Sequence, residues 1–136
     1  MGIMSEKYKT QIENVAVDTS LKPEDGWKFA MRWLVDEQNM GAKFGAVGYA
    51  TFPPHGQHML HVHDDAEEVA IYLKGRGLRT VGDEQYEVVP GTVAYVPPGV
   101  PHGLQNLSET EPIELICIYL GAPSVEKTGY RLIGEL

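Results

Sequence analysis

From residue 27 onward, apolar and polar side chains alternate. Trp27, Phe29, Met31, Trp33 and Val35 recur at every second position, the period of a strand with one buried face. A second run, 43–52, brings Phe44, Ala46, Gly48, Ala50 and Phe52 to one side, and the glycines at 41, 45 and 48 oppose a helix there. Residues 36–41 read as the turn between the two runs, and Pro53-Pro54 ends the second. Shorter runs at 69–73, 78–81, 85–89, 93–96 and 104–106 follow, with Gly82-Asp83 placed as the turn of a hairpin. Residues 113–120 are apolar on both faces, which calls for a facing sheet on one side and another subunit on the other. Many short strands at turn-rich intervals, without a helical period, describe an all-β sandwich or barrel.

The alternation divides the chain into an N-terminal arm (1–26), a barrel domain (27–121) and a C-terminal tail (122–136). The arm carries weak apolar marks at Ile12, Val15, Val17 and Leu21, and is expected either to be disordered or to lie along a partner subunit. A length of 136 residues suits one domain. The sequence contains no apolar run of membrane-spanning length, and Lys7 is followed by polar residues instead of a signal-peptide core. A single cysteine, Cys117, cannot form an intrachain disulfide, which fits a reducing, cytoplasmic setting. The net charge of −8 opposes nucleic acid and anionic membrane as partners and leaves a small molecule.

The chemistry concentrates in one stretch. On a strand His61 and His63 point the same way, and a carboxylate from Glu67-Glu68 can return to them after a short turn. Imidazole with carboxylate suits a borderline or moderately hard divalent metal. His55 and His58, just upstream, are candidate acid/base groups at a pocket mouth, and Tyr72 shares a strand face with Glu68 and Ala70. Phe52, Met59, Tyr95 and Cys117 are candidate lining residues, Cys117 being read as a small buried hydrophobe. Asn106 shares a face with His102 and Leu104, where it can orient a ligand or contact substrate. Arg76, at a glycine-flanked turn, is expected to be exposed, and no basic cluster marks a phosphate pocket.

Two spaced motifs carry a family resemblance. His61-x-His63, four residues, Glu68, six residues and Gly75 form the first, with His55 standing where its opening glycine is expected. Gly91, Pro97, Gly99, His102 and Asn106 form the second without exception. On these residues the chain resembles the small single-domain members of the cupin superfamily. The resemblance implies a jelly-roll β-barrel and one divalent metal per subunit, iron or manganese favoured and zinc or nickel the alternatives, held by His61, His63, Glu68 and His102. Glu67 is then left across the pleat. It also implies a homodimer through edge strands. Four protein ligands leave two adjacent metal positions, which suits a dioxygenase-type oxidoreductase acting on a small oxygen-rich molecule. The alternatives are a non-redox isomerase, epimerase or lyase using His55, His58 or Tyr72 as base, and a binding protein without turnover.

Overall fold

The computed structural model describes residues 7–136, so the first six residues of the arm lie outside the described part. Among the described residues, the strands are β1 (Trp27–Lys28), β2 (Ala30–Val35), β3 (Gly45–Phe52), β4 (Gln57–His63), β5 (Glu67–Lys74), β6 (Gly77–Val81), β7 (Glu84–Val88), β8 (Val93–Val96), β9 (His102–Gln105), β10 (Ile113–Leu120) and β11 (Tyr130–Gly134). They form two antiparallel sheets, one ordered β1-β4-β9-β6-β7 with β11 also on β4, the other β2-β3-β10-β5-β8. The inner faces enclose a core that includes Met31, Ala46, Ala50, Phe52, Ala70, Leu104, Ile113, Leu115 and Tyr119. This is the all-β jelly roll that the alternation and the motifs imply.

The run read as one strand over 27–35 is two. Trp27 and Lys28 pair with β4, while Ala30 onward pairs with β3 in the other sheet, so the chain crosses between sheets at Phe29. The ring of Phe29 stacks on Phe52 at 4.1 Å, which holds that corner in the core. In β3 the alternation is realised from Ala46 onward, but Phe44 precedes the strand and is exposed. Gly48 is fixed by space, because a Cβ there would sit 2.6 Å from Met31 Sδ and 3.1 Å from the Trp33 ring. The expected turn after β2 contains one helical turn, α1 (Glu37–Met40), whose free N–H groups are taken by the Asp36 side chain in a capping box.

The expected hairpin of β6 and β7 closes through Gly82-Asp83, with Val81 opposite Glu84 and Gly82 in the left-handed region. In β10, Ile113, Leu115, Cys117 and Tyr119 face inward, while Ile116 and Ile118 stay half-buried on the outer side. The described part of the arm folds back on its own chain. Val17 bridges Arg32, the Asp18 N–H donates to the Met31 carbonyl, and the Trp33 indole donates to Asp18. Nor do residues 122–136 trail away from the barrel. After a 3-10 turn over Val125–Thr128, β11 lies along β4 with Tyr130 opposite His63.

Candidate metal centre

Period two delivers His61 and His63 to the interior from β4, and His102 lies directly across from His61 on β9. Glu68 arrives from the facing sheet, on β5 opposite Tyr119. All four are buried, and one ligand atom from each lies within 4.8 Å of all the others. Glu68 Oε1 is 3.5 Å from His102 Nε2 and 3.6 Å from His63 Nε2. Bonds of about 2.1 Å place adjacent donors on an octahedral ion about 3 Å apart and opposite donors about 4.2 Å apart, so the group needs to tighten only slightly.

The imidazoles are oriented for metal binding. His61 Nδ1 donates to the Met59 carbonyl (2.6 Å) and His102 Nδ1 to the Val100 carbonyl (2.9 Å). His63 Nδ1 bonds the Thr128 hydroxyl at 2.8 Å. With the proton on Nδ1, each Nε2 presents a lone pair, and all three Nε2 atoms are buried without a hydrogen-bond partner. Burial pushes the protonation of His61 well down and that of His63 down to about 4, so both are neutral at physiological pH. Three inward, unpartnered lone pairs beside a carboxylate fit a divalent cation.

Arg79 lies at the heart of this arrangement, where the alternation of β6 points it inward beside Leu104. It is buried, and its Nη2 lies 2.6 Å from Glu68 Oε2. Burial acts to raise the Glu68 carboxyl, but His102, Arg79 and His63 outweigh it and hold the group well below the usual carboxylate range. Glu67, across the pleat, bonds the Tyr95 hydroxyl.

A small cavity of about 20 Å³ adjoins Glu68 and Arg79. Its wall includes Phe29, Phe52, Leu104, Leu115, Cys117 and His58. His58 stacks on His61 at 3.5 Å, and its Nε2 lies 3.2 Å from the Tyr130 hydroxyl. A uniform strand would send His58 and His61 to opposite faces. The pairing of β4 with β9 shifts by one residue between them, and this bulge turns both inward.

The other candidates separate. His55 is exposed on the turn after Pro53-Pro54, at φ 63, and Tyr72 is buried with an unpartnered hydroxyl; neither lines the cavity. Phe52 and Cys117 do line it, whereas Met59 does not, and Tyr95 is half-exposed on the outer face. Burial pushes the Cys117 thiol well above its ordinary value, in keeping with a packed hydrophobe. Asn106 does not face the site. Its amide donates to the carbonyls of Phe52, Pro53 and Glu111, tying loops together. Arg76 is exposed and pairs with Glu87.

Sequence reasoning missed Arg79, Thr128 and Tyr130. For Arg79 a signal existed, since it alternates with outward Leu78 and Thr80; Thr128 and Tyr130 carry no local sign.

The sequence model of the family described as Cupin domain matches residues 48–119, more than half of the chain. An uncharacterised protein of Methanocaldococcus jannaschii is 37% identical over 72 residues, which is 53% of this chain and 57% of that protein, so the chain matches little more than half the length of this relative. Among solved structures, the polyketide cyclase RemF of Streptomyces resistomycificus superposes with a TM-score of 0.74 at 20% identity, covering 96% of this chain and 86% of that one. A predicted oxalate decarboxylase of Thermotoga maritima gives 0.71 at 20% identity over 81% and 96% of the two chains. At such identities the likeness is one of fold.

Proposed function

The chain belongs to the cupin domain family, and on that premise we propose that it is a metal-dependent enzyme acting on a small oxygen-rich organic molecule, as a dioxygenase-type oxidoreductase. The observation that carries this reading is the convergence of three tautomer-fixed Nε2 atoms and Glu68 Oε1 within 4.8 Å. His61, His63, Glu68 and His102 would hold one divalent ion per subunit, and the mixed imidazole and carboxylate set favours iron or manganese, with zinc or nickel as alternatives. When bound, such an ion supplies two further positions, for a chelating substrate and dioxygen, and can pass electrons between them.

The chain's own residues do the rest. Arg79 keeps Glu68 ionised and fixes one of its oxygens. Phe29, Phe52, Leu104 and Leu115 exclude water from the cavity. His58, which lines the cavity, would be the group that takes a proton from a substrate hydroxyl.

That placement of His58 also favours a second reading, a non-redox isomerase, epimerase or lyase in which proton transfer is the reaction. Fold alone does not choose, and the polyketide cyclase and predicted oxalate decarboxylase activities belong to the neighbours that bear those names. Oxygen uptake decides. Iron- or manganese-loaded protein is offered diketone, hydroxy-keto and phenolic chelators in an oxygen electrode. Substrate-dependent uptake supports the oxygenase, turnover that persists under argon supports the isomerase or lyase, and saturable binding without conversion removes both. We also place a second copy of the chain against the outer face of β10 and β8, where Ile116 and Ile118 are half-buried and Val93 and Tyr95 exposed. Sedimentation equilibrium tests that homodimer.

A further inference from the structure

His61 and His102 take their Nδ1 acceptors from main-chain carbonyls two residues back, Met59 and Val100. No side-chain substitution removes those acceptors. His63 differs, because its acceptor is the hydroxyl of Thr128, 65 residues away in sequence and fully buried.

The direction of that bond follows from proton counting. A hydroxyl has one proton to give. Thr128 Oγ1 lies 2.7 Å from the Val125 carbonyl, which can only accept, so the proton is used there. Towards His63 the oxygen has only lone pairs to offer, and the hydrogen of that contact must therefore sit on Nδ1. Nε2 is then left bare, facing Glu68 Oε1.

Thr128 is held firmly in this role. It ends the 3-10 turn Val125–Thr128, and its carbonyl accepts from the Asp65 N–H at 2.8 Å. The next residue, Gly129, has φ 74, and a Cβ there would fall 2.6 Å from Asp65 Oδ2. Tyr130 then pairs with His63 itself, and its hydroxyl donates to the Asp25 carbonyl.

We propose that Thr128 is a positioning residue of the metal centre: by accepting from His63 Nδ1 it fixes the metal-binding tautomer and so sets the affinity of the site for a divalent cation. The inference rests on reading the histidine and glutamate group as a metal site. Without the hydroxyl, His63 is free to carry its proton on Nε2, and binding an ion would require moving that proton to a buried nitrogen with no acceptor.

The test uses the full chain, manganese(II) as the probe, and two variants. Thr128→Val keeps the shape and removes the hydroxyl; Thr128→Ser keeps the hydroxyl. Competition with a chromophoric chelator is expected to show affinity falling about 10- to 100-fold in Thr128→Val and staying near wild type in Thr128→Ser. Long-range proton–nitrogen NMR of the metal-free protein is expected to find the His63 proton on Nδ1 in wild type and Thr128→Ser, and shifted towards Nε2 in Thr128→Val. A folded Thr128→Val that binds manganese like wild type overturns the proposal while leaving the metal site standing. Wild-type protein that binds no divalent cation overturns the metal reading itself. Should Thr128→Val fail to fold, the wild-type spectrum decides, and a His63 proton on Nε2 overturns the proposal.

Discussion

Arg79 and Glu68 share a buried ion pair in which the guanidinium takes Oε2 at 2.6 Å and leaves Oε1 to the histidines. The carboxylate is thereby divided between an internal countercharge and the candidate ion. Arg79→Met strands Glu68 without its partner and is expected to cost about 3–5 kcal/mol of stability. The measurement is the urea midpoint of metal-free protein. Adding Glu68→Gln to Arg79→Met recovers most of the loss, since the pair is then removed together. An unchanged midpoint in the single variant would take Arg79 out of this role.

Acid is expected to destabilise the metal-free protein below neutrality. The folded state holds His63 down to about 4 against an ordinary value of 6.5, so between those values the unfolded chain binds more protons. Stability therefore rises with pH across that window, and it falls as the pH drops from 6.5 towards 4, by about 3 kcal/mol for His63 alone. His58 and His61, also held low by burial, act in the same direction. Glu68, held below the usual carboxylate range, adds its own loss at lower pH still. Urea midpoints at pH 7, 6 and 5 check this, and a flat profile contradicts it.

Metal loading is expected to raise the thermal midpoint. Manganese at about 100 times its dissociation constant contributes about 2.7 kcal/mol, which for a chain of this size is roughly 10 °C. His102→Ala removes one of the four donors and is expected to abolish both the shift and the near-stoichiometric metal expected in elemental mass spectrometry of wild-type protein. A shift of equal size in His102→Ala would place the ion elsewhere.

His55 occupies a left-handed backbone position at φ 63, which a glycine adopts without strain. His55→Gly is therefore expected to stabilise the fold by about 1 kcal/mol, the left-handed penalty of an ordinary residue less the chain entropy that glycine adds. Because the ring is exposed, turnover should be unchanged. A fall in turnover with intact manganese affinity would restore His55 as an acid/base group.

Asn106→Ala separates tethering from ligand contact. Its amide serves three carbonyls, and its Oδ1 accepts from the Ser108 N–H. Loss of these bonds is expected to cost about 2–4 kcal/mol, seen in the thermal midpoint, with manganese affinity preserved in whatever fraction remains folded. Normal stability with weakened substrate binding would return Asn106 to the site.

The clustering of His61, His63, Glu68 and His102 was legible because the two histidines obey a strand period and the remaining two positions follow motif spacings. The fold class was legible for the same reason, since β3, β6, β7 and β10 repeat with period two. What escaped reading had physical causes. His58 was named as a pocket-mouth candidate, but the bulge that turns it inward was not legible, since nothing in the letters between His58 and His61 marks the extra residue. Phe29 breaks an unbroken alternation because the chain changes sheets there, a tertiary event. Thr128 and Tyr130 reach the histidines through pairings 65 and 72 residues apart, across a segment whose composition resembles a loop.

β4 is flanked on one side by strands from near both ends of the chain, β1 and β11. The contact between Tyr130 and Asp25 spans 105 residues. Contacts of such separation form slowly, after the loops between them have closed. A chain emerging from the ribosome exposes His61 and His63 long before Thr128 and Tyr130 are made. On the proposed reading as a metal site, the histidine strand alone is thus an unfinished chelator, and capture of a cation would wait for the segment that carries Thr128 and Tyr130.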